Sequence, residues 1–234
     1  MMTLAFVTGG SRGLGYETAK ALRSQGVKVV LVARDPERLS HAAQELGADH
    51  FAVDLSDMAQ TRSAFRKATL DFGCPEILIL AHGVMSDRMS KTFRTNDDEW
   101  RRVMSINLDS VFTIVNEVGA QMAQLRNGRI IIYSACLGRM SGPGNAGGLA
   151  PYRISKTGVN ALVRNLSHET GHGSRGLFVD AVCPNHSRTD MGGADAPRSA
   201  AQGAACAIWL ATRTLIPGQT QTGLLWEDNQ IVDW

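Results

Sequence analysis

Six short apolar runs, spaced by segments whose apolar residues recur three and four apart, constrain this chain more than any other feature. Leu4 to Thr8, Val27 to Val32, His50 to Val53, Ile77 to Ala81, Arg129 to Tyr133 and Leu177 to Val182 are rich in β-branched residues and bounded by Gly, Asp or Pro. Runs of this length read as strands buried on both faces, the pattern of a parallel sheet. Between them, Leu14, Thr18, Ala21 and Leu22 form a helical stripe closed by Gly26. Further helices are expected over Pro36 to Leu46, Asp57 to Phe72, Asp97 to Leu125 and Pro151 to Glu169. This alternation implies right-handed βαβ crossovers and a doubly wound α/β fold. A helix around Ala200 to Thr212 and a short strand near Gly223 to Trp226 complete it. No repeat, low-complexity tract or long linker divides the chain, so residues 1–234 read as one domain.

Composition narrows the function classes. Lys plus Arg total 24 and Asp plus Glu 22, a net charge of +2 that gives no field for nucleic acid or anionic lipid. Hydrophobic residues are 44%, enough for a packed core, and no apolar run approaches the roughly 18 residues of a membrane span. The N-terminus lacks the basic flank and cleavage site of a signal peptide. Cys74, Cys136, Cys183 and Cys206 show no C-x-x-C spacing, so neither a disulfide framework nor a metal site is expected, and the cytoplasm fits best.

Directly after the first strand comes Thr8-Gly9-Gly10-Ser11-Arg12-Gly13-Leu14-Gly15, followed by a helix. Such a turn brings bare backbone N–H groups to a helix N-terminus, where a phosphate is favoured. Gly9 suits the turn itself, and Gly13 and Gly15 allow close approach of a pyrophosphate. The fold is therefore expected to be a single Rossmann-type sheet. The second strand ends Val32-Ala33-Arg34-Asp35, with no acid where an NAD enzyme bonds the ribose 2′-hydroxyl. Arg34, helped by Arg12, suits a 2′-phosphate and thus NADPH or NADP+. The other reading of Arg34 is a solvated loop charge.

Tyr152 and Lys156 stand one helical turn apart on the same face. A nearby ammonium is expected to lower the phenol's pKa toward working pH, as a general acid requires. Tyr16 and Lys20 share the spacing but lie behind the glycine turn and read as a packing or surface pair. Only Tyr152 follows the fifth strand, where a substrate would meet a nicotinamide.

The glycine run, Asp54-Leu55 after the third strand, Asn107 in Ile106-Asn107-Leu108, Tyr152 with Lys156, and Cys183-Pro184 through Thr189 resemble, in order and spacing, the short-chain dehydrogenase/reductase family. The resemblance covers essentially the whole chain. Pro151 to Thr157 and Arg188 to Gly193 look like its carbonyl-reductase-like, NADPH-dependent branch. It implies that Tyr152 donates a proton to a substrate carbonyl. Lys156 would hold the nicotinamide ribose and Asn107 anchor a water relay, while Gly9, Ser11, Arg12, Leu14, Arg34, Asp54, Leu55, Gly83 and Thr189 line the cofactor. It also implies a homodimer or homotetramer built on the helices around Asp97 to Leu125 and Pro151 to Glu169.

Three departures stand out. The family's catalytic serine position falls on Ala135, with Ser134 one residue early and on the opposite face of an extended strand. Ser134 serves only if the strand end bulges, and Ser141 is a more remote hydroxyl. His82 replaces a small residue beside the adenosine ribose, expected to touch solvent or ribose, or else to be a new proton donor. Asn185 replaces a glycine; it tolerates positive φ, but its side chain is expected to crowd the nicotinamide. The leading expectation is an NADPH-dependent reductase or dehydrogenase of a small-molecule carbonyl or alcohol. The alternatives are non-redox acid–base chemistry on the same fold, such as cyclisation, dehydration or isomerisation, and a silent NADP(H) sensor. The substrate is expected to be set by Ser141 to Gly148 and Gly192 to Ser199, with Met140, Met191 and Leu149 as apolar walls.

Overall fold

The computed structural model describes residues 2–87, 91–142 and 147–234. Eight strands form one sheet: β1 (Leu4–Thr8), β2 (Lys28–Ala33), β3 (Asp49–Ala52), β4 (Ile77–Leu80), β5 (Gly128–Tyr133), β6 (Leu177–Val182), β7 (Leu225–Glu227) and β8 (Gln230–Val232). Their order is β3-β2-β1-β4-β5-β6-β7-β8, parallel throughout except for β7 against β8. Strand order reverses between β1 and β4, and there a doubly wound sheet opens its crevice at the carboxyl ends. Register brings those ends level: Thr8 opposes Leu80, Leu80 opposes Ile132, and Tyr133 opposes Val182.

The strands separate two cores by simple alternation. Phe6, Val30, Leu78, Ile130 and Val179 face one layer; Val7, Leu31, Ile79 and Ile131 face the other. The first layer is covered by α3 (Met58–Phe72), the segmented helix α4 (Asp97–Met104), α5 (Ser110–Ile114) and α6 (Ala120–Leu125), and α7 (Ala150–Glu169). The second is covered by α1 (Gly13–Ser24), α2 (Pro36–Leu46) and α8 (Ala200–Thr212). Local chemistry sets several ends. Asp35 caps α2 by accepting from the N–H groups of Glu37 and Arg38, both at 3.1 Å, and Gly47 closes that helix at φ 59°.

Two expectations need correction. The helix expected from Asp97 to Leu125 is three α segments joined by π turns at Ser105–Asp109 and Val115–Gly119. The last short strand does not end the sheet but turns back as β8 through Asp228 and Asn229, at φ 50° and 62°. Two consecutive positive φ angles make a two-residue hairpin whose twist matches the strands, a role Asp and Asn tolerate.

Candidate active site

The glycine turn leaves β1 at φ 65° on Gly9, and a Cβ on Gly15 would stand 2.4 Å from the Gly9 carbonyl oxygen. No side chain fits there, so strand end and helix start stay in contact. Arg12 precedes α1 without a side-chain cap, leaving first-turn N–H groups beside the turn. Across the crevice, the Thr189 methyl is 3.1 Å from where a Cβ on Gly13 would lie. Leu14 instead reaches α8, where its side chain is 2.8 Å from the space of a Gly203 Cβ. Ser11 is half-buried in the turn.

Arginines gather beside the turn. Arg12 ion-pairs with Asp190, and Arg38, in the first turn of α2, approaches the same carboxylate at 3.7 Å. Burial and the charges of Arg38 and Arg34 push Arg12 below its usual range. Arg34 is exposed at the end of β2. At the end of β3, the Ser56 N–H donates to Asp54 at 2.9 Å and holds that carboxyl low, while Leu55 is buried in the core. Arg38 and Asp190 escaped the sequence reading; both sit on turns whose mutual approach no local pattern reveals.

At the ends of β4 and β5 the structure brings Tyr152, Lys156, Asn107 and Gly83 together. Lys156 Nζ donates to the Tyr133 carbonyl at 2.7 Å and lies 5.9 Å from the centre of the Tyr152 ring. A Cβ on Gly83 would be 3.3 Å from Asn107 Oδ1 and 3.6 Å from Lys156 Nζ. Asn107, on the first π turn, accepts from the Val84 N–H at 2.8 Å and donates to Ser155 Oγ at 3.1 Å. It thereby ties the loop after β4 to α7. Ala135, Val103 and Tyr152 make a small apolar cluster against Val84, Met85, Leu137, Leu149 and Met191.

Several expectations change. Burial pushes the Tyr152 phenol up and Lys156 down to about 8, so desolvation outweighs the expected lowering of the tyrosine by the ammonium. Ser134 Oγ donates to Asn160 Oδ1 of α7 at 2.6 Å. His82 is buried, with Nδ1 2.6 Å from Thr8 Oγ1 and Nε2 2.7 Å from Ser110 Oγ. Ser110 gives its own proton to the Ile106 carbonyl, so His82 donates from Nε2 and accepts at Nδ1. Asn185 takes φ 56° as expected, and its side-chain amide faces the Arg198 guanidinium, which its oxygen accepts from at 3.2 Å once the amide O and N are exchanged. Ser141 donates to the Trp234 carbonyl at 3.2 Å. Met191 and Leu149 line the cluster, Met140 is exposed, and residues 143–146 of the Gly-rich stretch lie outside the described residues. Burial first, and Glu45 of the neighbouring helix second, push the Tyr16 phenol up to about 12, while Lys20 is exposed.

A doubly wound sheet with a glycine turn at its switch point, and a Tyr–Lys pair across the crevice, defines a Rossmann-type α/β enzyme. The short chain dehydrogenase family model matches residues 3–199. The chain is 34% identical over 190 residues to 3-oxoacyl-(acyl-carrier-protein) reductase FabG of Escherichia coli K12, covering 80% of this chain and 75% of that protein. In three dimensions it resembles the crystal structure of ribose-5-phosphate isomerase from Brucella melitensis 16M. That likeness has a TM-score of 0.86 and 25% identity, over 96% of this chain and 90% of that one. A short chain dehydrogenase from Salmonella enterica serovar Typhi CT18 shares the fold with a TM-score of 0.82 at 20% identity, over 97% and 96% of the two chains. The chain belongs to the short-chain dehydrogenase family and is an oxidoreductase acting on CH–OH and C=O groups. No helix among the described residues is long and apolar enough to cross a membrane.

Proposed function

We propose that this chain is an NADPH-dependent reductase of a small-molecule ketone or aldehyde, reversible as an alcohol dehydrogenase, with Tyr152 as general acid. The observation that carries the reading is the gathering of Tyr152, Lys156, Asn107 and Gly83 at the strand ends level with the glycine turn. The ketoreductase name of the Escherichia coli relative agrees with it. The chain's own geometry fits a dinucleotide: Gly9, Gly13 and Gly15 with Ser11 and Leu14 form the cradle, and Asp54, Leu55 and Thr189 border it. Arg12, Arg34 and Arg38 suit a 2′-phosphate, and Ala33 offers no competing carboxylate. When bound, the nicotinamide supplies the hydride.

Burial keeps the Tyr152 phenol protonated at neutral pH, the form a general acid needs. Lys156, at about 8, remains mostly an ammonium at pH 7 and offsets the negative charge left when Tyr152 gives its proton away. Asn107 positions the pair by joining the loop after β4 to α7. Ser134 braces α7 through Asn160 rather than meeting substrate, and Ala135 adds only a methyl, so Tyr152 alone polarises the carbonyl oxygen. Met191, Leu149 and Val84 suit an apolar substituent on the substrate. We place the enzyme in the cytoplasm, as one domain over residues 1–234, self-associating as a dimer or tetramer. Phe112 on α5, Ile154 on α7 and Trp100 on α4 leave apolar side chains exposed where that contact would form.

Nicotinamide fluorescence during titration with NADPH and NADH, followed by NADPH oxidation with a panel of ketones, tests the reading. Tyr152→Phe is expected to bind NADPH normally and to lose turnover by about 10²-fold or more. Unchanged turnover would remove Tyr152 as the acid. Failure to bind NADPH overturns the proposal.

A further inference from the structure

His82 stands just beyond β4, beside the end of β1, and no step of the proposed reaction uses it. Four hydrogen bonds run through it in one direction. The Ala81 N–H donates to Thr8 Oγ1 at 3.1 Å, and Thr8 Oγ1 donates to His82 Nδ1 at 2.6 Å. His82 Nε2 donates to Ser110 Oγ at 2.7 Å, and Ser110 Oγ donates to the Ile106 carbonyl at 2.7 Å. The direction is forced from the far end. Ser110 gives its proton to Ile106, so a neutral ring gives Nε2–H to Ser110 and takes the Thr8 proton at Nδ1. The Ile79 carbonyl, at 3.4 Å from Thr8 Oγ1, is the more distant acceptor. Burial first, and the charge of Lys156 second, keep the ring neutral. Thr8, His82 and Ser110 are all buried, where linked bonds polarise one another and a broken one is costly.

The ends of this chain of bonds are the two halves of the site. Thr8 is the last residue of β1, and the glycine turn follows it directly. A Cβ on Gly9 would stand 3.0 Å from the Ala81 carbonyl and from the His82 nitrogen, so the turn rests on the segment that carries His82. At the other end, Ile106 belongs to the π turn Ser105–Asp109, Asn107 is its next residue, and Ser110 follows the turn. Asn107 exchanges two bonds with Val84, accepting from its N–H at 2.8 Å and donating to its carbonyl at 2.9 Å. His82 and Val84 thus pin the loop to the π turn on both sides of Gly83. A Cβ on Gly83 would lie 3.6 Å from Lys156 Nζ, so the pinned loop also bounds the place of the ammonium.

We propose that His82 is a positioning residue: by joining Thr8 to Ser110 it locks the glycine turn to the π turn that carries Asn107, so that one unit sets both the dinucleotide cradle and the placement of Asn107 and Lys156 beside Tyr152. It acts through Asn107 and Gly83. Without the ring, Thr8 and Ser110 share no partner, and the end of β1 can shift against the π turn. A displacement of roughly 1 Å at a reacting pair costs about 10²-fold in rate, even when its origin lies away from the chemistry. The loss falls on kcat, because the lock orders the groups that serve the transition state rather than those that hold the ketone. The kinetic effect rests on the proposed reductase activity; the lock itself belongs to the fold and stands apart from it.

His82→Ala, His82→Gln and Ser110→Ala, compared with the wild type by amide hydrogen exchange and by ketone kinetics, test both parts. The Val84 N–H reports the place of Asn107, its acceptor. Without cofactor it is expected to exchange about tenfold faster in His82→Ala and Ser110→Ala. In His82→Gln, whose amide accepts from Thr8 and donates to Ser110, it is expected to exchange at close to the wild-type rate. With the best ketone, kcat is expected to fall about tenfold or more in both alanine variants, with KM nearly unchanged, and to recover in His82→Gln. The double variant His82→Ala/Ser110→Ala is expected to be no slower than the slower single one, since both break the same chain of bonds. Wild-type exchange at Val84 in His82→Ala overturns the lock. Unchanged kcat, a loss that His82→Gln leaves unrepaired, or losses that multiply in the double variant overturn the positioning role. Should His82→Ala fail to fold, Ser110→Ala and His82→Gln carry the same readouts. If the wild type reduces no carbonyl, the reductase reading fails, while exchange at Val84 still decides the lock.

Discussion

Ala135 packs in one apolar cluster with Tyr152, where the proposed mechanism would otherwise have a second proton donor facing the substrate oxygen. Losing one such donor typically costs about 10²–10³ in rate, so Ala135→Ser is expected to raise kcat by at least tenfold, with little change in KM. Steady-state kinetics on the best ketone checks this; an unchanged or lower kcat would mean that the oxygen lies elsewhere. His82 makes a different prediction. Burial first, and the charge of Lys156 second, hold its pKa down to about 3 from an ordinary 6.5. Its neutral form is the one the fold accepts, so this stabilisation is complete above pH 6.5. Between pH 6.5 and 3 the unfolded chain takes up a proton that the folded one refuses, and stability falls by up to about 1.4 kcal/mol per pH unit. Denaturant midpoints of the wild type and His82→Ala across this range should show a shallower acid slope in the variant. Tyr152 and Lys156 stand out by their spacing only together with their place after the fifth strand, since Tyr16 and Lys20 share the spacing. The two bonds that fix His82 were not, because Thr8 and Ser110 come from a strand end and a helix far apart in the chain.

Among the elements, the turn holding Asp190 lies over the glycine turn and gives its carboxylate to Arg12 and Arg38. Under the proposed NADPH reading, a 2′-phosphate would have to displace this anion from the arginines. Asp190→Asn is therefore expected to tighten NADPH binding severalfold, with a smaller gain at high salt, where exposed charges are screened. Fluorescence titration at two ionic strengths measures it; weaker binding would show that Asp190 assists the cofactor. The sequence made Arg12 visible within the glycine run and Arg34 by its distance from it, but not Arg38, whose place depends on how α2 docks. The π turns under Asn107 and after Ile114 left no trace in the apolar pattern either, because they change the backbone ladder without changing the buried face.

The whole molecule is fastened at its C-terminal side by a buried ion pair. Asp180 of β6 accepts from Trp226 Nε1 at 2.9 Å and from Arg213 Nη2 at 3.0 Å, and the Arg213 guanidinium lies 4.7 Å from the ring centres of both Trp209 and Trp226. One carboxylate thus joins β6, β7 and the end of α8. Removing it strands a buried cation, so Asp180→Ala is expected to cost about 3–5 kcal/mol, read as a lowered denaturant midpoint; a loss below about 1 kcal/mol would show the pair to be dispensable. The doubly wound sheet was legible because most of its strands are buried on both faces and write short, unbroken apolar runs. Strand β8 was not, with only three residues and an exposed Ile231. The division of each strand between two cores has a further consequence. Adjacent residues serve opposite layers, so the sheet obeys a parity rule: one residue lost from β5 would swap Ile130 and Ile132 for their neighbours and carry the Tyr133 carbonyl out from under Lys156. Divergence in length is confined to even steps within strands, or to the loops beyond them, where substrate choice is free to drift.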